Sequence, residues 1–238
     1  MHYFELTCTA YLKRDIPFRE SFETLSKYIS FCFMRNGLEA VHTRFGYKNF
    51  VFGGLLPFAK DQLYHAGSTY TFALRSPDEL FITALATALR TNIDNPSLLV
   101  VQTTQKRINA MMLSELYSAT PVIVTMEGDN YWTMEKSGDI LQLHQQLHDN
   151  LLKKYHSFYG EKITPEQNFI QRLELKNTKP QNIRIYKEEK LITFFGNKFS
   201  IIPHEDEISQ RLAFLALSCG LGEKNSYGGG FCLAKGMR

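Results

Sequence analysis

Gly220-Leu221-Gly222-Glu223-Lys224-Asn225-Ser226-Tyr227-Gly228-Gly229-Gly230 runs straight into apolar Phe231, Cys232 and Leu233. Five glycines in eleven residues exclude a helix or strand interior, because glycine loses the most conformational freedom on ordering. Such a run supplies backbone free to take positive φ, with N–H groups able to converge on an anion. Upstream, Glu205, Asp206 and Glu207 lead a helical repeat of Ile208, Leu212, Leu215 and Ala216, and Gly220 is its natural stop. The order is helix, glycines, strand. Nucleotide-binding loops run strand, glycines, helix, so that phosphate meets a helix N-terminus. With no G-K-[ST] and no glycine at position 225, ATPase and dinucleotide readings fail. A long turn between the last helix and the last strand is the other plain reading.

Outward from this loop, the pattern gives an α+β chain of two tandem βαββαβ units. Residues 2–12 alternate as a half-buried strand does, and Pro17 precedes a helix from Phe18 to Met34 with Phe22, Leu25, Ile29 and Phe33 on one face. Strands are expected at Phe50–Leu56 and Thr69–Leu74, a helix at Pro77–Thr91, and strands at Leu98–Gln102 and Ile108–Leu113. That order is a ferredoxin-like unit. It then repeats, with strands at Pro121–Met126 and Tyr131–Met134, a helix at Asp139–Phe158 and a strand at Phe169–Lys176. Two strands follow around Lys187-Glu188-Glu189-Lys190, then the 205–218 helix and the strand from Phe231. The division expected is 1–116 and 117–238.

The 238 residues, 44% apolar and 21% charged, fit a soluble globular chain of one large domain or two smaller ones. A formal charge of +3 permits an RNA partner without demanding one, and 18 Phe with 12 Tyr suit both a core and stacking on bases. The scattered Cys8, Cys32, Cys219 and Cys232 contain no C-x-x-C pair and read as small buried hydrophobes in a reducing cytoplasm. The opening His2-Tyr3-Phe4-Glu5-Leu6 lacks the marks of a signal peptide, and no stretch is long enough to span a bilayer. His144 and His148 are spaced for a metal pair, but H-Q-Q-L-H has no glutamate beside the first histidine and reads as a polar helix face.

His42 has different company. Lys48 follows it by six residues, and Gly46 between them lets the chain reverse so that the two side chains meet across a turn. An imidazole shuttles protons at neutral pH, and an ammonium offsets charge developing on a phosphate. Together they suit RNA cleavage by the neighbouring 2′-hydroxyl. A charged surface loop is the alternative.

The order G-hydrophobic-G, five residues, G-x-G resembles the signature of the RAMP superfamily, and Glu223-Lys224-Asn225-Ser226 is most similar to its CRISPR repeat-processing endoribonucleases. Gly229 departs from the hydrophobic residue usual between the last two glycines. Leu116-Tyr117-Ser118-Ala119-Thr120-Pro121-Val122, with Val124-Thr125, resembles the T-L-S-P-I-x-V-T segment that opens that family's second half.

The resemblance implies two ferredoxin-like domains of RAMP type and metal-independent cleavage of precursor CRISPR RNA within its repeats, leaving 2′,3′-cyclic phosphate and 5′-hydroxyl ends. It assigns His42 as acid, base or both, and Lys48 as stabiliser of the phosphorane. Tyr28 and Tyr47 compete as a third partner. Gly220, Gly222, Lys224, Asn225, Ser226, Gly228 and Gly230 are the RNA-binding loop. Lys106, Arg107, Lys176, Lys179 and Arg184 are further phosphate contacts, each with a solvated face as its other reading. The partner implied is CRISPR repeat RNA, with other CRISPR effector subunits and a homodimer left open. No cofactor, metal or membrane is called for. A RAMP subunit that holds guide RNA without cutting it is the second reading.

Overall fold

The computed structural model describes residues 1–35, 38 and 46–236. Strand β1 (His2–Leu12) sets the first half: Phe4, Leu6, Cys8, Ala10 and Leu12 point into the core beneath the helices, as period-two alternation requires. Helix α1 (Ser21–Arg35) buries Leu25, Tyr28, Ile29, Cys32 and Phe33. Helix α2 (Glu79–Thr91) buries Phe81, Ile82, Leu85, Ala88 and Leu89, and the Asp78 carboxylate caps it by accepting from Phe81 N–H at 3.0 Å. Full burial of each such side chain stabilises by about 1.5–3 kcal/mol.

The other strands of the first half are β3 (Val51–Phe52), β5 (Thr69–Ser76) and β6 (Leu98–Asn109), and the antiparallel sheet runs β3-β5-β1-β6. Two residues each of β2 (Ile16–Pro17) and β4 (Leu63–Tyr64) pair outside it. The expected Phe50–Leu56 strand shrinks to β3 because Gly53 and Gly54 follow, and a Cβ on Gly53 would come within 3.3 Å of the Phe231 ring. Of the two strands expected over 98–113, the first runs on to Asn109 as the long edge strand β6, paired with β1 along its whole length, and residues 110–112 lie outside any strand.

The second half repeats the plan. Strands β7 (Leu113–Ser118), β8 (Ile170–Leu175), β11 (Phe199–Pro203) and β12 (Cys232–Gly236) form a sheet ordered β12-β7-β11-β8. In each half the fourth strand lies beside the first, then the third and second. That is the ferredoxin-like order, so the duplication inferred from element order is real. Residue 116 falls inside β7, a strand of the second sheet. Helix α3 (Ile140–Tyr159) is capped by Asp139 and ended by left-handed Gly160, while helix α4 (Glu207–Cys219) is capped by Asp206 and ended by Gly220.

Three expectations differ, the first being that Tyr131–Met134 forms no strand and makes only a single bridge at Tyr131. Residues 121–126 join no ladder and make only single bridges, Val122 to Asn197, Ile123 to Glu223 and Thr125 to Tyr131. Residues 182–202 hold three strands, because the hairpin β9 (Gln181–Lys187) and β10 (Lys190–Gly196) stands apart from β11 and packs Ile183, Ile185 and Phe194 against Ile123.

Arg75 of β5 ties the halves together. Its Nε donates to Glu5 at 2.7 Å and its Nη1 to the Cys232 carbonyl at 2.6 Å, with the guanidinium 4.4 Å from the Phe231 ring centroid. Tyr3, on the sheet face away from α1 and α2, packs into the second core. All four cysteines are buried, and among the described residues none forms a disulfide. Among the described residues, no helix is long and apolar enough to cross a membrane.

Candidate active site

Past α1 the described chain resumes at Gly46 and enters β3 through Tyr47, Lys48, Asn49 and Phe50. Phe50 anchors this segment, packing on Phe33 and Phe81 at centroid distances of 5.6 and 5.5 Å. Ser76 Oγ donates to the Asn49 carbonyl at 2.7 Å. Tyr47 and Lys48, half-buried, are thereby set as one wall of a cleft of about 350 Å³. The opposite wall is the glycine-rich loop, Glu223 to Tyr227, and α3 contributes Asn150 and Lys154. A second pocket of about 230 Å³ shares Tyr47, Asn150 and Glu223 and adds Thr125, Gln146, Asp149 and Lys153.

His42 lies outside the described residues. Lys48 has no partner among the described residues, and burial lowers its pKa. Tyr47 is pushed the other way, by burial first and by Glu223 second, which keeps its phenol protonated at neutral pH. Tyr28 does not belong to the cleft, a correction to its place among the candidates. It is 1% exposed in the first core, donates to the Leu89 carbonyl at 2.6 Å and accepts from Val100 N–H at 3.2 Å. Its position on the apolar stripe of α1 dictates that burial, which also raises its pKa.

The loop's glycines work differently from the anion cradle expected. Gly220, Gly222, Gly228 and Gly230 are buried at positive φ (+82°, +68°, +89° and +67°). A Cβ on Gly222 would lie 2.6 Å from the Ile123 carbonyl, and one on Gly228 would run into the Phe22 ring. Gly220 N–H donates to Ala216, Gly228 N–H to Asn225, Gly229 N–H to Lys224 and Gly230 N–H to Pro121. The glycines thus let the loop pack on the 121–126 segment and on α1, where Ser26 Oγ donates to the Ser226 carbonyl at 3.1 Å.

Asn225 is also committed internally. Its Nδ2 donates to Gly229 O at 2.9 Å and its Oδ1 accepts from Lys154 at 2.8 Å. Glu223 accepts from Thr125 Oγ1 at 2.6 Å. That leaves the N–H groups of Gly222, Lys224, Asn225 and Ser226, which donate to no group among the described residues. The Lys224 ammonium lies 5.5 Å from the Phe194 ring centroid.

Lys154 is the site residue that the sequence reading missed. It is 1% exposed, and its ammonium donates to the carbonyls of Gly220 and Gly222, each at 2.6 Å, as well as to Asn225. Burial lowers its pKa to about 8. The signal was its place on the stripe Leu143, Leu147, Leu151, Lys154, where an exposed lysine does not belong.

The remaining basic residues are dispersed. Lys106 and Arg107 sit on β6, the edge opposite β3, three strand spacings or about 14 Å from the cleft edge. Arg107 Nη2 lies 3.2 Å from His2 Nδ1. Lys176 pairs with Glu174 at 2.9 Å, Lys179 lies in the turn before β9, and Arg184 is exposed on β9. None of the five lines the cleft.

His148 is not on a polar helix face. It is buried, stacks on Phe169, and its Nδ1 accepts from Phe169 N–H at 3.1 Å. Among the described residues, no group of three or more His, Cys, Asp and Glu is placed to hold a metal ion.

Two ferredoxin-like halves, with a glycine-rich loop from the last helix closing a cleft against the first half, define a RAMP-type protein. Residues 100–233, more than half the chain, match the family model for CRISPR associated protein Cas6, C-terminal, and the chain belongs to the Cas6 family. It is 25% identical over 170 residues to CRISPR-associated endoribonuclease Cas6 2 of Methanocaldococcus jannaschii, covering 66% of this chain and 70% of that one. In fold it is similar to a solved structure of CRISPR associated protein Cas6, with TM-score 0.73 at 19% identity, covering 98% and 99% of the two chains. A RAMP protein binding different RNA substrates gives TM-score 0.67 at 18% identity, with 98% and 99% covered.

Proposed function

We propose that this protein is an endoribonuclease that cuts precursor CRISPR RNA within its repeats by metal-independent transesterification. One observation carries the reading. Tyr47 and Lys48 of the first half and the Glu223–Tyr227 loop of the second line the same cleft, although they lie far apart in the chain. The loop and Lys48 hold the strand by its phosphates. The 2′-hydroxyl upstream of the cut attacks the adjacent phosphorus as it gives up its proton. The bond to the 5′-oxygen breaks and that oxygen takes a proton, leaving a 2′,3′-cyclic phosphate and a 5′-hydroxyl.

His42, just ahead of this segment in sequence, moves the protons as acid, base or both. The Lys48 ammonium offsets the phosphorane charge in a partly desolvated site, where such a group acts more strongly than in water. Tyr47 orients the phosphate or donates to it. Lys224 adds charge at the cleft rim.

The test incubates the protein with end-labelled repeat RNA in excess chelator, beside the same RNA carrying a single 2′-deoxy substitution upstream of the cut. Cleavage of the first and binding without cleavage of the second are expected. His42→Ala lowers the rate at least about tenfold. Binding of both RNAs with cleavage of neither, whether or not metal is added, would make the protein a holder of guide RNA. Cleavage only with a divalent ion would overturn the transesterification mechanism.

A further inference from the structure

Lys154 has no part in the chemistry above, yet it is the most completely buried charge beside the cleft. An ammonium has three donors and no acceptor, and here each donor is used: Gly220 O and Gly222 O at 2.6 Å, Asn225 Oδ1 at 2.8 Å. A hydrophobic side chain at this point of the α3 stripe would avoid the desolvation cost of a charge, so packing does not call for lysine.

Its location supplies a reason. Helix α4 ends at Cys219, and the carbonyls at that end carry the negative pole of the helix dipole, a poor neighbour for a phosphate. The Lys154 ammonium sits on the first carbonyls beyond that end. It satisfies the Gly220 and Gly222 carbonyls and places a fixed positive charge beside the loop.

We propose that Lys154 is the positioning residue of the cleft, holding the Gly220 and Gly222 carbonyls and the Asn225 amide inward so that the Lys224, Asn225 and Ser226 N–H groups face an RNA phosphate. This rests on the RNA-cleaving reading for the identity of the anion, while the pinning of the loop does not. The groups facing Lys154 are Cys219 of α4, Cys232 of β12, Glu223 of the loop and, across the cleft, Tyr47 and Lys48. Burial drives the two thiols up, to about 11 and about 12, and Tyr47 upward as well, so Lys154 loses its proton before them. Lys48, also lowered by burial, needs its own control.

The first arm uses no RNA. Amide hydrogen exchange across residues 219–231 is compared near neutral pH between the parent and Lys154→Met, with circular dichroism to check the fold. Exchange of the loop is expected to quicken at least about tenfold in the variant, from the loss of charged hydrogen bonds. Unchanged exchange would overturn the proposal, whatever the protein does with RNA.

The second arm follows binding of 2′-deoxy-substituted repeat RNA from about pH 6 to about pH 10. The parent is expected to lose affinity about tenfold through a one-proton step near 8. The step persists in Lys48→Gln, is absent in Lys154→Met, and moves to higher pH in Asn225→Asp, whose carboxylate favours the charged ammonium. If Lys154→Met does not fold, the parent and Asn225→Asp still decide: a step that is missing, or one that Asn225→Asp does not move, refutes the proposal. A loop loosened in Lys154→Met with no repeat-RNA binding by the parent supports the pin and sinks the RNA reading.

Discussion

Arg75→Met removes the guanidinium that joins the two halves. It leaves the Glu5 carboxylate without its ion pair, and the Cys232 carbonyl and the more distant Leu217 carbonyl (3.4 Å) without that donor. Breaking a buried ion pair from one side costs about 3–5 kcal/mol, because the remaining charge stays uncompensated. An unfolding entropy of about 2.1 cal/mol/K per residue over this chain gives about 0.5 kcal/mol per degree, so the melting temperature should fall by about 6–10 °C. Glu5→Gln in the same chain takes away the stranded charge, and the double variant should melt above Arg75→Met. Its residual deficit of about 1–3 kcal/mol belongs to the unsatisfied carbonyls. Thermal unfolding of the parent, Arg75→Met and the double variant by circular dichroism is the assay. Melting of Arg75→Met within about 2 °C of the parent, or a double variant no better than the single, would falsify the view that Arg75 couples the halves electrostatically.

Tyr28→Phe loses bonds to Leu89 and Val100 and should cost about 1–3 kcal/mol of stability while the single-turnover cleavage rate stays at the parental value; a collapsed rate in folded protein would put Tyr28 back in the chemistry. Lys48→Met should slow single-turnover cleavage about 10²–10³-fold, with a much smaller effect on repeat-RNA affinity measured by filter binding. Gly230→Ala forces a Cβ onto the Leu221 carbonyl at positive φ; the loop must move, and RNA affinity should drop at least about tenfold for about 1–3 kcal/mol of lost stability. His148 is held neutral by burial, which lowers its pKa in the folded chain. The unfolded chain then binds more protons as pH falls below about 6.5, so stability declines from there down to the folded pKa. Urea midpoints against pH should show that decline, reduced in His148→Gln.

The helices were legible because burial imposes a 3.6-residue rhythm that little else in the chain imitates. Asp78, Asp139 and Asp206 mark their starts, and each proves to be a capping carboxylate. The duplicated order of elements was legible for the same reason. Strand extents were not, because partners decide them: β6 runs through Gln102–Arg107 only because β1 lies alongside, while apolar 121–126 finds no ladder. The glycine motif marked a loop that lines the cleft but not what its glycines do, since a close approach by Ile123 or Phe22 is a tertiary fact. Lys154 drew no reading, although it falls on the stripe of Leu143, Leu147 and Leu151. The dispersal of Lys106, Arg107, Lys176, Lys179 and Arg184 follows from strand order, which composition does not carry.

The contacts that close the cleft join distant parts of the chain: Ser26 with Ser226, Arg75 with Cys232. During translation the strands of the first sheet are made well before the loop that forms the other wall of the cleft. A chain cut short ahead of Gly220 keeps the strands of the first sheet and loses that wall, so the groove exists only once both halves have been made.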